Sequence, residues 1–89
     1  MKLNLLESEK NKLRFEVIGE GHTFCNVLRK ELWNDKEVEV AGYHIEHDMV
    51  SEPLFIVESK GNAKNALIDA SERLLKRNKE FLDKVKKSL

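Results

Sequence analysis

Residues 19–35, GEGHTFCNVLRKELWND, place four side chains capable of chemistry within a few helical turns: His22, Cys25, Asn26 and Arg29. A cysteine in the first turn of a helix can have its pKa lowered by the helix dipole, and a nearby histidine can act as its base. No third group that would orient the histidine is evident, and a small, partly buried cysteine is the commoner outcome. The stretch therefore predicts the start of a helix that carries polar groups, and no reaction can be assembled from it.

Metal binding is the second chemistry to weigh, since the chain also contains His44 and His47. A structural zinc site needs four ligands in paired short spacings, and the sequence has neither a CxxC nor an HxxxH pattern. His44 and His47 are three residues apart in a predicted strand, so their side chains point to opposite faces. GEGH also lacks the lysine and serine of a phosphate-binding loop. We predict no metal and no cofactor.

Length and composition indicate one small globular domain covering residues 1–89. About 40% of the residues are apolar and 36% are charged, which is too apolar for a disordered chain. No run of 18 apolar residues exists, and the N-terminus lacks the apolar core of a signal peptide. The single cysteine cannot form an internal disulfide, which suits a reducing compartment. We therefore expect a cytoplasmic protein without membrane association.

Charge is balanced overall but unevenly distributed. The net charge is +0, yet residues 1–59 carry 7 basic and 12 acidic side chains, and residues 60–89 carry 9 basic and 4 acidic ones. A basic C-terminal segment is compatible with a nucleic acid or an acidic partner, and equally with a solvated helix face.

Hydrophobic periodicity predicts the order β-β-α-β-β-α. Residues 1–6 and 13–19 alternate as two strands of a hairpin around a polar turn, SEKNK, and Thr23 is predicted to cap a helix that ends near Asn34. A third strand changes phase beside Gly42, which suggests a β-bulge there. A fourth strand, LFIVES, follows Pro53 and has apolar residues on both faces, so we expect both of its faces to be covered. Asn62 is predicted to cap a helix running to the C-terminus. The fold class is α+β, a two-layer structure with a four-stranded antiparallel sheet and two helices on one face.

The last helix raises a physical problem of length. About 25 residues at about 1.5 Å each extend nearly 40 Å, more than a four-stranded sheet can cover when the helix crosses it obliquely. Phe81, Leu82 and Val85 lie in the far half, where this domain has little left to bury them. Each of these side chains that stays in water loses roughly 1.5–3 kcal/mol of the stabilising free energy that burial would provide. A partner surface is the simplest explanation, and a helix that curls back or frays is the alternative.

Two blocks of sequence resemble the α-like assembly subunits of RNA polymerase. GHTFCNVLRKEL is similar to the family's signature, which is matched by His22, Thr23, Phe24, Asn26, Leu28 and Arg29. AGYHIEHD is similar to a second block, through Ala41, Tyr43, Ile45 and His47. Gly21 resembles the bacterial α form. Asp48 replaces the family's usual proline, so we expect the turn after that strand to differ from the family's. Chain length and the absence of an insertion point to the small archaeal branch of the family.

This resemblance implies a noncatalytic subunit, one α-like dimerisation domain over residues 1–89 that pairs with the α-like D subunit of RNA polymerase. The pair would be the assembly platform for the large subunits, without direct nucleic-acid contact, and the isolated chain could form a homodimer. The implied partner interface comprises Phe24, Val27, Leu28, Leu32, Leu67, Ala70, Leu74, Asn78, Phe81 and Val85. The implied motif and large-subunit docking residues are His22, Thr23, Asn26, Arg29 and Lys30.

Two alternatives from other functional classes stay open. The first is a small RNA-binding module that uses the basic C-terminal helix, although the chain lacks a GxxG loop or a stacking motif. The second is a small homo-oligomeric enzyme on the same β-β-α-β-β-α order, similar to the pterin dehydratases, although their paired histidines are missing here.

Overall fold

The computed structural model describes residues 1–46 and 51–89, and it has the predicted element order. The strands are β1 (Lys2–Glu9), β2 (Lys12–Ile18), β3 (Val38–His44) and β4 (Leu54–Ser59), and the helices are α1 (His22–Leu32) and α2 (Ala63–Ser88). The strands form one sheet in the order β1-β2-β4-β3, and every neighbouring pair is antiparallel. The predicted α+β class with two helices against one sheet is confirmed.

The core lies between the helices and one face of the sheet. Leu13, Phe15 and Val17 of β2 and Phe55 and Val57 of β4 are buried on that face, as their period-two spacing requires. Phe15, Phe55 and Tyr43 stack in a row across three strands, with ring centroids 5.5 and 6.1 Å apart. These are separations at which aromatic pairs attract beyond their buried area.

The expectation that both faces of β4 are covered is wrong. Phe55 and Val57 lie under the helices, whereas Leu54 and Ile56 are half-buried on the face that carries no helix. An antiparallel sheet needs only one face packed, so its other face can tolerate partial exposure of apolar side chains.

Turn and bulge positions differ from the predictions in three places. The β1–β2 turn is only Lys10 and Asn11, because β1 continues to Glu9. The irregularity in β3 falls between Val38 and Val40 instead of beside Gly42, which pairs regularly with Ile56. An extra residue near position 39 brings Val38 and Ala41 to the same buried face although they are three residues apart.

The third difference is the start of α1. The helix begins at His22 with Gly21 as its N-cap, and no side chain caps it, so the prediction that Thr23 is the cap is wrong. Thr23 already has helical geometry and is exposed. The helix ends at Leu32, two residues before the predicted end.

The start of α2 follows the prediction and is held by the hairpin turn. The side-chain oxygen of Asn62 accepts a hydrogen bond from the backbone amide of Asn65 at 2.9 Å, as an N-cap should. The side-chain amide of Asn11 donates to the backbone carbonyls of Ser59, Lys60 and Gly61. The segment that leads into α2 is therefore fixed against the β1–β2 turn.

Candidate functional site: an uncovered apolar surface

The helix-side face of the sheet is only partly covered by the two helices. Leu3 and Leu5 of β1 pair with Val17 and Phe15 of β2 and therefore share their face, yet they are 60% and 58% exposed. An open groove runs between this part of β1 and the helices, and its lining is almost entirely apolar. We call it the apolar groove. It is lined by Met1, Leu3, Leu5, Ser8, Phe24, Leu28, Lys64, Leu67, Ser71 and Leu74 over a floor of Leu13, Phe15 and Val17.

The long helix continues this groove beyond the edge of the sheet. Ala63, Ala66 and Ala70 are buried and let the helix approach the strands closely, but after Leu74 only Val85 is even half-buried. Phe81 is 71% exposed. The helix stays regular to Ser88, so the predicted excess of length is real and no part of it folds back onto the sheet.

At about 100° per residue, the side chains of α2 separate into a charged and an uncharged side. An arc of about 140° between residues 67 and 85 contains no charged residue. We call this arc the apolar stripe, and its members are Leu67, Ile68, Ser71, Leu74, Leu75, Asn78, Phe81, Leu82 and Val85. Leu67, Ser71 and Leu74 also line the groove, so groove and stripe form one continuous surface.

The predicted interface residues divide into three groups. The structure brings Phe24, Leu28, Leu67 and Leu74 together in the groove, with Asn78, Phe81 and Val85 on the same stripe beyond it. Leu32 and Ala70 are completely buried in the chain's own core, so they support the surface from beneath. Val27 is exposed on the outer side of α1, away from the groove.

Met1, Leu3 and Leu5 belong to the surface although they were not predicted to do so. The signal was present, because Leu3 and Leu5 alternate in phase within the first strand. What the pattern did not reveal is that α1 and α2 leave this edge of the sheet uncovered.

The motif residues of α1 lie on two different sides of that helix. The Nδ1 atom of His22 is 2.9 Å from the hydroxyl of Tyr43, which places this end of the helix over β3. Asn26 and Arg29 follow at helical spacing on the same side, and the Arg29 guanidinium donates to the Asn26 side-chain oxygen at 3.1 Å. Thr23 and Lys30 are exposed on the outer side, beside Val27. His47 and Asp48 lie outside the described residues.

Cys25 is a buried side chain of the core. It has no exposed surface, and its burial, aided by the negative charge of Glu20, raises the pKa of the thiol. The small, buried cysteine that the sequence favours is therefore what the structure shows, and loss of hydration outweighs any lowering of the pKa by the helix dipole. A buried thiol with a raised pKa is a poor nucleophile.

A buried carboxylate that was not predicted from the sequence joins α1 to the middle of α2. Glu31 is 2% exposed; its Oε2 atom accepts from the Arg73 Nε at 2.8 Å and from Asn34 at 3.0 Å, and its Oε1 lies 3.3 Å from Arg77. The hydrogen bonds from Asn34 and Arg73, with the charge of Arg77, lower the pKa of Glu31 despite its burial. This network anchors α2 at the point where its contact with the sheet ends.

No group of three or more metal-ligating side chains comes together among residues 1–46 and 51–89. In the same part of the chain, neither helix is long and apolar enough to cross a membrane.

Comparisons with known proteins point to one family. The family model described as the RNA polymerase Rpb3/Rpb11 dimerisation domain matches residues 12–84. DNA-directed RNA polymerase subunit Rpo11 of Thermococcus sibiricus is 36% identical over 87 residues, covering 93% of this chain and 92% of the relative. The protein of the same name from Methanothermobacter thermautotrophicus is 37% identical over 79 residues, covering 89% and 92%.

A solved structure shows the same fold. The crystal structure of the L subunit of DNA-directed RNA polymerase from Thermoplasma acidophilum superposes with a TM-score of 0.86 at 28% sequence identity. The match covers 97% of this chain and 86% of that one.

Proposed function

Because the chain belongs to the RNA polymerase Rpb3/Rpb11 dimerisation domain family, we propose that it is a noncatalytic, cytoplasmic subunit of a DNA-directed RNA polymerase. It acts by pairing with the polymerase's α-like D subunit, which we call the α-like partner. The pair is the platform on which the large catalytic subunits assemble.

The observation that carries this proposal is the continuous apolar surface formed by the groove and the stripe. Soluble monomers rarely expose large contiguous apolar patches, and such patches mark sites of association. Leu3, Leu5 and Phe81 are each more than half exposed in the isolated chain. A partner that covers them removes this area from water at roughly 25 cal/mol per Å².

The arrangement suits a partner with the same fold. The stripe is one helix face without charge, and the groove is open where β1 lacks a covering helix. An α-like domain offers a helix of its own for each of these places, so the two domains can form a shared core. This geometry supports pairing through helices.

Pairing is tested by light scattering on the purified chain, alone and mixed with the α-like partner. We expect a stable one-to-one complex, and Phe81→Asp should weaken it at least about a hundredfold because a charge would be buried in an apolar interface. Leu74→Asp should have the same effect, although Leu74 also packs against the chain's own core.

Val40→Asp is the matched control for these two substitutions. Val40 is also an exposed apolar residue, at 40%, but it lies outside the groove and the stripe. Pairing that survives both Phe81→Asp and Leu74→Asp would show that the interface is assigned to the wrong surface.

Docking of the large subunits is proposed for Arg29 and Lys30. Lys30 is exposed on the outer side of α1, and Arg29 is half-buried beside Asn26. We expect Lys30→Glu to leave pairing with the α-like partner unchanged and to reduce capture of the large subunits by the preformed pair. Lys36→Glu, an equal charge change at an exposed loop position, is the control, and equal losses from both variants would remove Lys30 from the docking surface.

The RNA-binding alternative predicts a different outcome of the same experiments. A monomer that does not bind the α-like partner but binds RNA with a steep dependence on salt would favour the RNA-binding alternative. One observation weakens it: Arg73 and Arg77 of the basic segment are already engaged by Glu31.

A further inference from the structure

The apolar stripe contains two polar side chains, and they differ in how their hydrogen-bonding groups are satisfied. The hydroxyl of Ser71 donates to the backbone carbonyl of Leu67 at 2.9 Å, so it is satisfied within the helix. Asn78 lies seven residues later and is exposed. Within the part of the chain that the structure describes, its side chain makes no hydrogen bond. When a partner covers the stripe, the amide of Asn78 needs hydrogen-bonding groups from that partner.

The neighbours of Asn78 make its position unusual. One turn before it lie Leu74 and Leu75, and one turn after it lie Phe81 and Leu82, all on the stripe. A helix packed along the stripe would therefore surround the amide with apolar side chains. An amide buried without a partner loses on the order of 1–3 kcal/mol, roughly a five- to 150-fold change in affinity.

A single asparagine in an apolar helix seam is known to select register and partner at some loss of stability. Asn78 is near the middle of the stripe, so a helix shifted along the stripe places an apolar side chain against it. Only a facing helix with a polar side chain at the matching position satisfies the amide. The apolar members of the stripe can pack against any apolar surface.

We propose that Asn78 determines the specificity of the interface, by hydrogen-bonding a polar side chain on the facing helix of the α-like partner. This inference rests on the proposed function. Its physical content is that Asn78 lowers the affinity for wrong registers, including every register of a second copy that does not place Asn78 against Asn78, more than for the correct partner.

The test compares wild type, Asn78→Leu, Asn78→Gln and the control Ser71→Ala by analytical ultracentrifugation. For each chain, one titration measures the dissociation constant for the α-like partner and another measures self-association. For Asn78→Leu we expect the ratio of these constants to shift toward self-association by on the order of tenfold. Asn78→Gln should recover part of the discrimination, and Ser71→Ala should match wild type.

The outcomes separate the two proposals. If all four chains bind the α-like partner with the same discrimination against self-association, Asn78 has no role in specificity while the proposed function stands. If wild type does not bind that partner at all, the proposed function fails and this inference fails with it. Because Asn78 is exposed, unchanged thermal melts should show that Asn78→Leu folds normally.

Discussion

The two halves of α2, residues 63–74 and 75–88, have the same helical spacing of apolar residues but differ in how far those residues are buried. Between Ala63 and Leu74 three buried alanines allow close packing on the sheet, and Leu67 and Leu74 pack half-buried against the core. From Leu75 onward the apolar residues are large and all except Val85 are exposed, and Phe81 leaves 71% of its surface in water. The first half therefore contributes to the stability of this chain, and the second half is suited to binding another one.

Glu31 marks the boundary between the two halves. Arg73 and Arg77 flank Leu74, which packs against the core, and both form ion pairs with the same carboxylate on α1. A buried charge with several partners rigidifies its surroundings only while all of them are present. The network thus holds the direction of the free half without covering its apolar stripe.

The largest expected effect comes from Ala70→Asp in the buried half. Ala70 has no exposed surface, so an aspartate there is an unpaired charge in the core, and we expect a loss of about 3–5 kcal/mol in the free energy of unfolding. Urea denaturation followed by circular dichroism measures it. Lys79→Asp on the exposed charged side is the control, and equal losses would mean that the first half is not packed as described.

Glu31→Gln tests the boundary and should cost about 1–3 kcal/mol at neutral pH, because it weakens charge-assisted hydrogen bonds to a buried group. The pKa of Glu31 is lowered below its ordinary value of 4.5 in the folded chain. Its stabilisation is therefore fully present above about pH 4.5 and is lost as the pH falls through the native pKa.

Urea titrations of wild type and Glu31→Gln between about pH 7 and pH 3 check this dependence. The difference in unfolding free energy should shrink on acidification. A difference that stays constant or grows toward low pH would contradict the assigned role of the carboxylate.

Amide hydrogen exchange sharpens the comparison without any substitution. In the isolated chain, amides of residues 75–88 should exchange faster than those of residues 66–74, since few tertiary contacts oppose their local opening. On addition of the α-like partner, the protection of the second half should rise toward that of the first. Uniform protection along α2 in the isolated chain would argue against the division into halves.

Phe81→Asp should have the smallest effect on stability. The side chain is mostly in water, so the free energy of unfolding of the isolated chain should change by within about 0.5 kcal/mol. Thermal melts of the monomer check this value. A clear loss of stability would mean that Phe81 packs against its own chain, and the pairing defect would then need another explanation.

Much of the fold follows from local sequence pattern. Alternation predicted both strands of the hairpin, helical spacing predicted both helices, and Asn62 was identified as a cap, because each of these signals depends on residues close together in the chain. The resemblance carried by GHTFCNVLRKEL and AGYHIEHD indicated the family, and the family model and the curated relatives confirm it. The errors at Thr23 and Gly42 concern single-residue geometry, where neighbouring strands and packing decide between close alternatives.

The sequence by itself determined that this chain has a helix longer than its sheet can cover, because length and apolar spacing can be counted without knowing the fold. Only the tertiary structure decided which apolar residues remain in water. Leu32 and Ala70 are buried in the core. Leu3 and Leu5 stay exposed, although they lie on the same face of the sheet as buried strand residues. The physical reason is that exposure depends on where the two helices cross the sheet. That crossing is set by contacts between distant residues, such as Asn11 with Gly61 and Glu31 with Arg73, which no local pattern encodes.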